Sequence, residues 1–236
     1  MHDQPEACNK GGLMEALKFP NETKHYREAR GELLKAEIEL RAQVERVAEM
    51  RGTLPLGGLI KEDYVFEETT SDGLTKSTSL SDLFEGEKTS LFLYSFMYGP
   101  AMANPCVMCS SFLDGLDGNA RHLAMRINVA VVAQSPIERI VQFAKERGWN
   151  SLRLLSSEKN SYNADYFGET PKGDQYPMAN VFVKRDGSIY HFWGSEMLYA
   201  DIEGDPRHID MMWPLWNVLD TTPDGRGKDW YPPLNR

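Results

Sequence analysis

This sequence has few cysteines, no long apolar run and fewer basic than acidic residues. Three cysteines in 236 residues are too few, and odd in number, for a secreted fold held together by disulfides. No apolar stretch reaches the roughly 20 residues that cross a bilayer. With 26 basic and 35 acidic residues, the net charge is −9, so neither nucleic acid nor an anionic membrane is expected as a partner.

The amino terminus is polar and lacks the basic and then apolar segments of a secretion signal. We therefore expect a cytoplasmic protein with reduced thiols, in which Cys8 is a free thiol in an unstructured lead-in. The sequence contains no Gly-x-Gly-x-x-Gly and no P-loop motif. No cofactor is predicted.

The first 58 residues are predicted to form an extension built on one long helix, followed by a single α/β domain over residues 59–236. Apolar side chains recur every three or four residues over 26–47, which is the spacing of one helix face. Asn21 is positioned to cap this helix, which is expected to end near Met50. We expect the helix to pack on the domain; the alternative is an arm between two copies, which leaves a homodimer open.

Short apolar runs predict the strands of the domain. A first strand is predicted at 63–69, two that read as buried at 90–96 and 127–133, and a further strand at 152–155. Because helical segments lie between the buried strands, we expect a parallel core with right-handed crossovers.

Two helices are predicted from the signals at their ends. Ser135, Pro136 and Glu138 match a capping box, and the helix that they would start ends at Gly148. A last helix is expected over 206–219, and the proline- and glycine-rich tail after it is expected to be irregular.

An antiparallel hairpin is predicted around the glycine turn at 185–187. Side chains alternate between the two faces of a strand. In the second strand of the hairpin, His191 and Trp193 should therefore share one face, and Tyr190 and Phe192 the other.

Cys106 and Cys109 lie between the predicted strand at 90–96 and the helix that follows it. The first turn of a helix has unpaired N–H groups and a partial positive charge, which stabilise a thiolate, and the thiolate is the nucleophile. Helical spacing places Cys109 on the apolar face with Phe112 and Leu113. We therefore expect Cys106 to attack a disulfide and the buried Cys109 to resolve the mixed disulfide.

Two other interpretations of the pair are open: that both are small core residues, or that they form half of a zinc site. A zinc site would need two further ligands, and the candidate residues, His122 and His191, are scattered in the sequence. No metal site is predicted.

Several segments, in this order, resemble the DUF899 family, described as predicted dithiol-disulfide oxidoreductases of thioredoxin-like fold. They are DYVFE at 63–67, SLSDLF at 79–84, FMYGP at 96–100, CVMCS at 106–110, SS at 156–157, NADY at 163–166 and LDTTPDGR at 219–226. The resemblance implies an α/β, thioredoxin-like fold with a central mixed sheet flanked by helices. Family members often carry proline and serine between the cysteines, whereas this chain has Val107 and Met108.

The thioredoxin-like fold also directs attention to Pro177, just before the hairpin. Proteins of this fold place a cis-proline there, facing the dithiol, where it helps to hold the substrate backbone; an ordinary trans proline is the alternative. Tyr98, Pro105 and Pro177 are the predicted substrate contacts.

The predicted function is thiol–disulfide exchange by Cys106 and Cys109 on a protein or small-thiol disulfide, with an external reductant. One alternative is a thiol peroxidase, in which Cys106 passes through a sulfenic acid. The peroxiredoxin pattern of proline, threonine or serine, and cysteine is absent before either cysteine. The other alternative is a scaffold or redox sensor without enzymatic activity.

Overall fold

A computed structural model describes residues 18–227 and 230–234, so Cys8 lies outside the described residues. The chain divides into two units after Leu54, within the glycine-rich stretch at 52–58. No helix in the described ranges is both long enough and apolar enough to cross a membrane.

The first unit is built on one long helix, α1 (Lys24–Gly52). Its N-cap is Thr23, whose extended backbone lets the side chain accept a hydrogen bond from the Tyr26 N–H at 3.1 Å. The predicted cap, Asn21, is wrong, because that residue lies earlier, in a turn with φ of +60°. No residue of α1 is buried, and most of its apolar side chains, including Leu33 and Leu40, are exposed.

The second unit contains one mixed sheet of seven strands among the described residues, in the order β2-β1-β5-β4-β3-β6-β7. The strands are β1 (Val65–Thr69), β2 (Thr75–Ser79), β3 (Ser90–Ser95), β4 (Asn128–Ala133), β5 (Arg153–Ser156), β6 (Met178–Arg185) and β7 (Ser188–Gly194). β3, β4 and β5 are parallel, as predicted, while β1, β2, β6 and β7 join by antiparallel pairing.

Helices connect and flank the strands. They are α2 (Val107–Leu123), α3 (Ile137–Arg147), α4 (Tyr162–Asp165) and α5 (Pro214–Leu219), with short 3₁₀ helices at Ser81–Leu83, Glu196–Tyr199 and Asp210–Met212. A mixed sheet with a Cys-x-x-Cys helix after a central parallel strand and a closing antiparallel hairpin confirms the predicted thioredoxin-like fold.

Three details differ from the prediction. β2 was not predicted, because its sequence, TKSTS, is polar and the strand lies at the sheet edge. The capping box is wrong: Pro136 is the N-cap of α3, and the Ser135 hydroxyl instead donates to the Gly99 carbonyl. The last helix begins only at Pro214, which has no N–H with which to continue a helix from the preceding 3₁₀ turn.

The two faces of the sheet build separate cores. On one, the dithiol face, Tyr94 packs with Cys109 and Phe112 of α2. On the other, the opposite face, Leu93 and Phe182 pack with α4. Because Leu93 and Tyr94 are neighbours in β3, they mark the alternation between the faces.

The hairpin of β6 and β7 is confirmed, and its turn has φ of +50° at Asp186 and +80° at Gly187, as a tight hairpin turn requires. A bulge at Val181/Phe182 breaks the strict alternation in β7. His191 therefore contacts Phe182 on the opposite face, while Trp193 packs with the dithiol-face core. The prediction that His191 and Trp193 share a face is wrong for this reason.

Candidate dithiol site

The loop between β3 and α2 places Cys106 at the edge of the sheet. The Cys106 N–H donates to the Met97 carbonyl at 3.0 Å. The Ser135 N–H, at the end of β4, donates to the Tyr98 carbonyl at 2.9 Å. Arg139 of α3 donates to the Met102 carbonyl at 2.6 Å. The loop is therefore held by one hydrogen bond within itself and by two from the β4–α3 connection, and these bonds fix the position of Cys106.

Cys106 is the N-cap residue of α2, with extended backbone angles (φ −60°, ψ 126°). Its sulfur accepts the backbone N–H of Cys109 at 3.5 Å. The pKa of Cys106 is lowered to about 6, first by the hydrogen bond from the Cys109 thiol and then by the backbone N–H groups of Cys109 and Met108, which together outweigh desolvation. A large fraction of Cys106 is therefore thiolate at neutral pH.

Cys109 has the opposite character. It lies one turn further along α2, is 2% exposed, and burial raises its pKa well above the ordinary value. The Tyr94 hydroxyl is within hydrogen-bonding reach of the Cys109 sulfur and acts against that rise, as does the backbone at Met97. The two thiols thus differ in both exposure and acidity.

A cavity of about 240 Å³ adjoins the pair. Its described walls include both cysteines, Tyr94, Pro177 and a segment of the chain that starts at Asp205 and ends at Trp213. The remaining lining residues are Met108, Leu198, Trp216 and Tyr231. The space beside the sulfurs is thus formed largely by residues a hundred positions away in sequence.

Within this segment, two buried ring nitrogens, Nδ1 of His208 and Nε1 of Trp213, have no hydrogen-bond partner among the described residues. Burial lowers the pKa of His208, although Asp205 and Asp210 act in the other direction. The imidazole is therefore neutral at neutral pH. Sequence reasoning missed His208, because nothing in the spacing of a residue so far from the cysteines indicates that the two meet.

Ion pairs hold the segment in place. Arg207 contacts Asp210 at 2.5 Å and Asp220 at 3.2 Å, and Arg226 contacts Asp210 and Asp220, both at 2.6 Å. Arg226 also lies over the Trp216 ring, 5.3 Å from its centroid. These contacts link the wall of the cavity to α5 and to the DTTPDGR stretch at 220–226.

The predicted substrate contacts are placed differently. Pro177 lines the cavity, and the peptide bonds of the described residues are all trans. Tyr98 is buried beneath the Arg139 guanidinium, 4.5 Å from the ring centroid, and Pro105 is buried immediately before Cys106. Neither borders the cavity, and their contact with substrate stays a prediction.

The two histidines considered as zinc ligands are not brought to the pair. His191 lies against Phe182 on the opposite face of the sheet. His122 is exposed near the end of α2. Within the part of the chain that the structure describes, no group of three or more His, Cys, Asp or Glu side chains is arranged to hold a metal ion.

Solved structures of similar backbone include thioredoxin peroxidase I of Plasmodium yoelii, with 17% identity and a TM-score of 0.45 over 75% of this chain and 97% of that one. They also include the peroxidoxin BcpB of Mycobacterium tuberculosis, with 19% identity and a TM-score of 0.41 over 70% and 98%. A third is the exposed lipoprotein thioredoxin Etrx1 of Streptococcus pneumoniae, with 15% identity and a TM-score of 0.40 over 64% and 98%.

No curated protein matches the sequence. The family comparison is more specific, because the DUF899 family, described as bacterial protein of unknown function, matches residues 17–236. This match extends over the long helix, the sheet and the dithiol, and it confirms the resemblance seen in the sequence motifs. The chain belongs to the DUF899 family.

Proposed function

We propose that this protein is a thiol–disulfide oxidoreductase of the cytoplasm that uses Cys106 as nucleophile and Cys109 as resolving thiol. The observation that carries the proposal is the contrast within the pair. One sulfur caps a helix and has a pKa lowered to about 6, while the other is buried one turn later with a raised pKa. Attack needs a thiolate, and resolution needs a second thiol held within reach of the first.

In the first step, the Cys106 thiolate attacks one sulfur of a substrate disulfide. A mixed disulfide forms, and the other half of the substrate leaves as a thiolate. Cys109 then loses its proton and attacks the Cys106 sulfur, which releases the second half of the substrate. The substrate has gained two electrons, and the protein now carries a Cys106–Cys109 disulfide that an external dithiol must reduce.

The test is a redox titration of the pair in glutathione or dithiothreitol buffers, read by mass-tagging of free thiols. The measurement uses Cys8→Ser protein, because Cys8 would otherwise contribute a third tag. A reversible two-electron transition between about −270 and −120 mV, the range from thioredoxin to DsbA, supports exchange. A pair that never forms a disulfide rules the mechanism out.

A second arm separates exchange from peroxide reduction. In Cys109→Ser protein, with Cys8→Ser as background here and in the control, exchange predicts that a mixed disulfide between Cys106 and a disulfide substrate accumulates and is stable. Peroxidase activity predicts instead that this variant forms a sulfenic acid with hydrogen peroxide at a rate well above that of a free cysteine. Cys106→Ser is the control in which neither adduct forms.

A further inference from the structure

A large cleft lies on the face of the sheet away from the dithiol core. This cleft, of about 980 Å³, is called the hairpin cleft here, and its described lining residues are Gly58, Leu59, Asp165, Tyr166, Phe167, Met178, Asn180, His191, Glu196, Met197, Tyr199 and Ala200. Its volume is at the upper end of the range for small-molecule sites. The proposed exchange reaction uses none of these residues.

The wall of the cleft is largely aromatic and thioether in character. His191 stacks on Tyr166, with ring centroids 5.7 Å apart and planes 27° from parallel. Phe167 and Tyr199 meet edge to face at the mouth, at 5.7 Å, and are 59% and 48% exposed. Aromatic rings with free faces bind other planar rings by stacking.

The exposed Phe167 has a strained backbone conformation. Its φ is +57°, in the left-handed region that a bulky side chain rarely adopts. The Tyr199 hydroxyl donates to the Phe167 carbonyl at 3.0 Å and holds this conformation. Backbone strain of this kind persists where the surrounding structure enforces it, and it is found disproportionately at ligand sites.

The hydrogen bonds around His191 fix which of its nitrogens is free. The Asn180 amide N–H donates to the Tyr166 carbonyl at 3.2 Å, so the Asn180 oxygen faces His191 Nε2, at 2.9 Å, as an acceptor. Nε2 must therefore carry the proton. Burial lowers the pKa of His191, so the ring is neutral at neutral pH and Nδ1 is a hydrogen-bond acceptor. Nδ1 makes no hydrogen bond to any described residue.

The charges on the cleft restrict the ligand further. The described lining contains two carboxylates, Asp165 and Glu196, and no lysine or arginine. Asp165 is paired with Lys61 at 2.9 Å, whereas Glu196 acts on His191 as a nearby negative charge. Because Lys61 compensates Asp165, an anionic ligand would be repelled mainly by the charge of Glu196.

We propose that the hairpin cleft is a second binding site, for a neutral polycyclic aromatic molecule that donates one hydrogen bond, from a hydroxyl or ring N–H, to His191 Nδ1. The rings of such a ligand lie along the exposed Phe167 and Tyr199. Tyr166 backs the site, because its ring already packs against other rings of the chain, including His191 and Tyr162. The two cavities share no described lining residue, but they adjoin at the 3₁₀ helix Glu196–Tyr199, where Leu198 lines the dithiol cavity and Met197 and Tyr199 line the cleft.

The probe is 2-naphthol, and the matched ligand is 2-methoxynaphthalene, which has the same rings but no donor. Binding is measured by calorimetry on the full chain. We expect 2-naphthol to bind about fivefold more tightly, the effect of one ordinary hydrogen bond. His191→Phe keeps the ring stack but removes Nδ1, and it should abolish the difference between the two ligands.

A second variant tests the location independently of His191. Ala200 is exposed on the cleft wall, and Ala200→Trp should fill the space and weaken both ligands at least tenfold. Leu74→Trp, on the distant turn between β1 and β2, adds the same ring at a 65% exposed position and should change neither affinity. Cys106→Ser should also leave both affinities unchanged.

Three results overturn the proposal. The first is equal affinity for 2-naphthol and 2-methoxynaphthalene in the wild-type chain. The second is binding that Ala200→Trp does not weaken. The third is equally tight binding of 1-octanol, which has a donor but no ring. None of these results bears on exchange by Cys106 and Cys109.

Discussion

The cavities on the two faces of the sheet are lined by side chains of different chemical character. On the dithiol face, a cavity of about 240 Å³ adjoins two thiols of contrasting acidity, and a segment from another part of the chain forms its wall. On the opposite face, a cleft four times larger surrounds a neutral histidine and carries no thiol. Two reactive thiols line the cavity on one face, whereas aromatic side chains and a neutral histidine line the cleft on the other. The difference indicates that one face suits chemistry on a small group and the other suits binding.

The largest expected effect is the loss of stability when one large core side chain is removed from either face. Trp213 is buried against Phe112 and Trp216, and Phe182 is buried against Tyr166. Trp213→Ala and Phe182→Ala should each lower the free energy of unfolding by about 3–5 kcal/mol. Urea denaturation measures this loss.

Only the first of these variants should alter the thiols. Trp213 lines the dithiol cavity, so its removal opens a path to Cys109 and should raise the alkylation rate of that thiol in native buffer. Phe182→Ala is the matched control, with a similar loss of stability on the other face. If both variants expose Cys109 equally, the gain reflects general loosening, and the faces are not independent.

The next effect is the pH dependence of the reduced protein. The folded pKa of Cys106 is about 6, against an ordinary value of 9.0, so the unfolded chain binds the proton more tightly. Stability from the thiolate is therefore fully present above about pH 9, declines as the pH falls, and is lost below about pH 6. The difference in unfolding free energy between wild type and Cys106→Ser should grow from pH 6 to pH 9. A difference that is flat over this window would contradict a lowered pKa.

A smaller effect is expected at Tyr94, which sequence analysis treated only as part of a buried strand. Its hydroxyl lies within reach of the Cys109 sulfur and lowers the pKa of that thiol against the effect of burial. Tyr94→Phe should therefore slow the resolving step about fivefold, by the loss of one hydrogen bond, while the attack by Cys106 keeps its rate. Stopped-flow measurement of mixed-disulfide formation and decay separates the two steps, and equal slowing of both would contradict this role.

How far the sequence could predict this site depends on the range of the interactions. The buried strands and the position of the dithiol follow from local apolar runs and from two cysteines placed just after a strand. β2 cannot be predicted in this way, because a polar edge strand is specified by its pairing with β1 and not by an apolar pattern of its own.

Local sequence patterns do not predict which residues form the far wall of each cavity. Pro214 divides the predicted last helix, and the 3₁₀ turn before it places His208 and Trp213 beside the thiols. On the opposite face, one bulge in the hairpin sends His191 and Trp193 to different sides. Both outcomes depend on contacts between residues that are far apart in the sequence. The spacing of residues along the chain does not reveal such contacts.

The smallest expected effect concerns His208, and it tests what activates Cys106. His208 lines the dithiol cavity, where a protonated imidazole would stabilise a thiolate. Burial lowers its pKa, however, so the ring is neutral near pH 7, and the contributors to the low pKa of Cys106 are Cys109 and the backbone of Met108. His208→Phe should therefore leave the midpoint of Cys106 alkylation near pH 6 and change the rate by less than about twofold, since no full charge is removed. The helix start would then be sufficient to activate the thiol. A midpoint that moves by a full pH unit towards 9 would show instead that the remote segment supplies the charge, and the dithiol face would depend on its distant wall for reactivity as well as for shape.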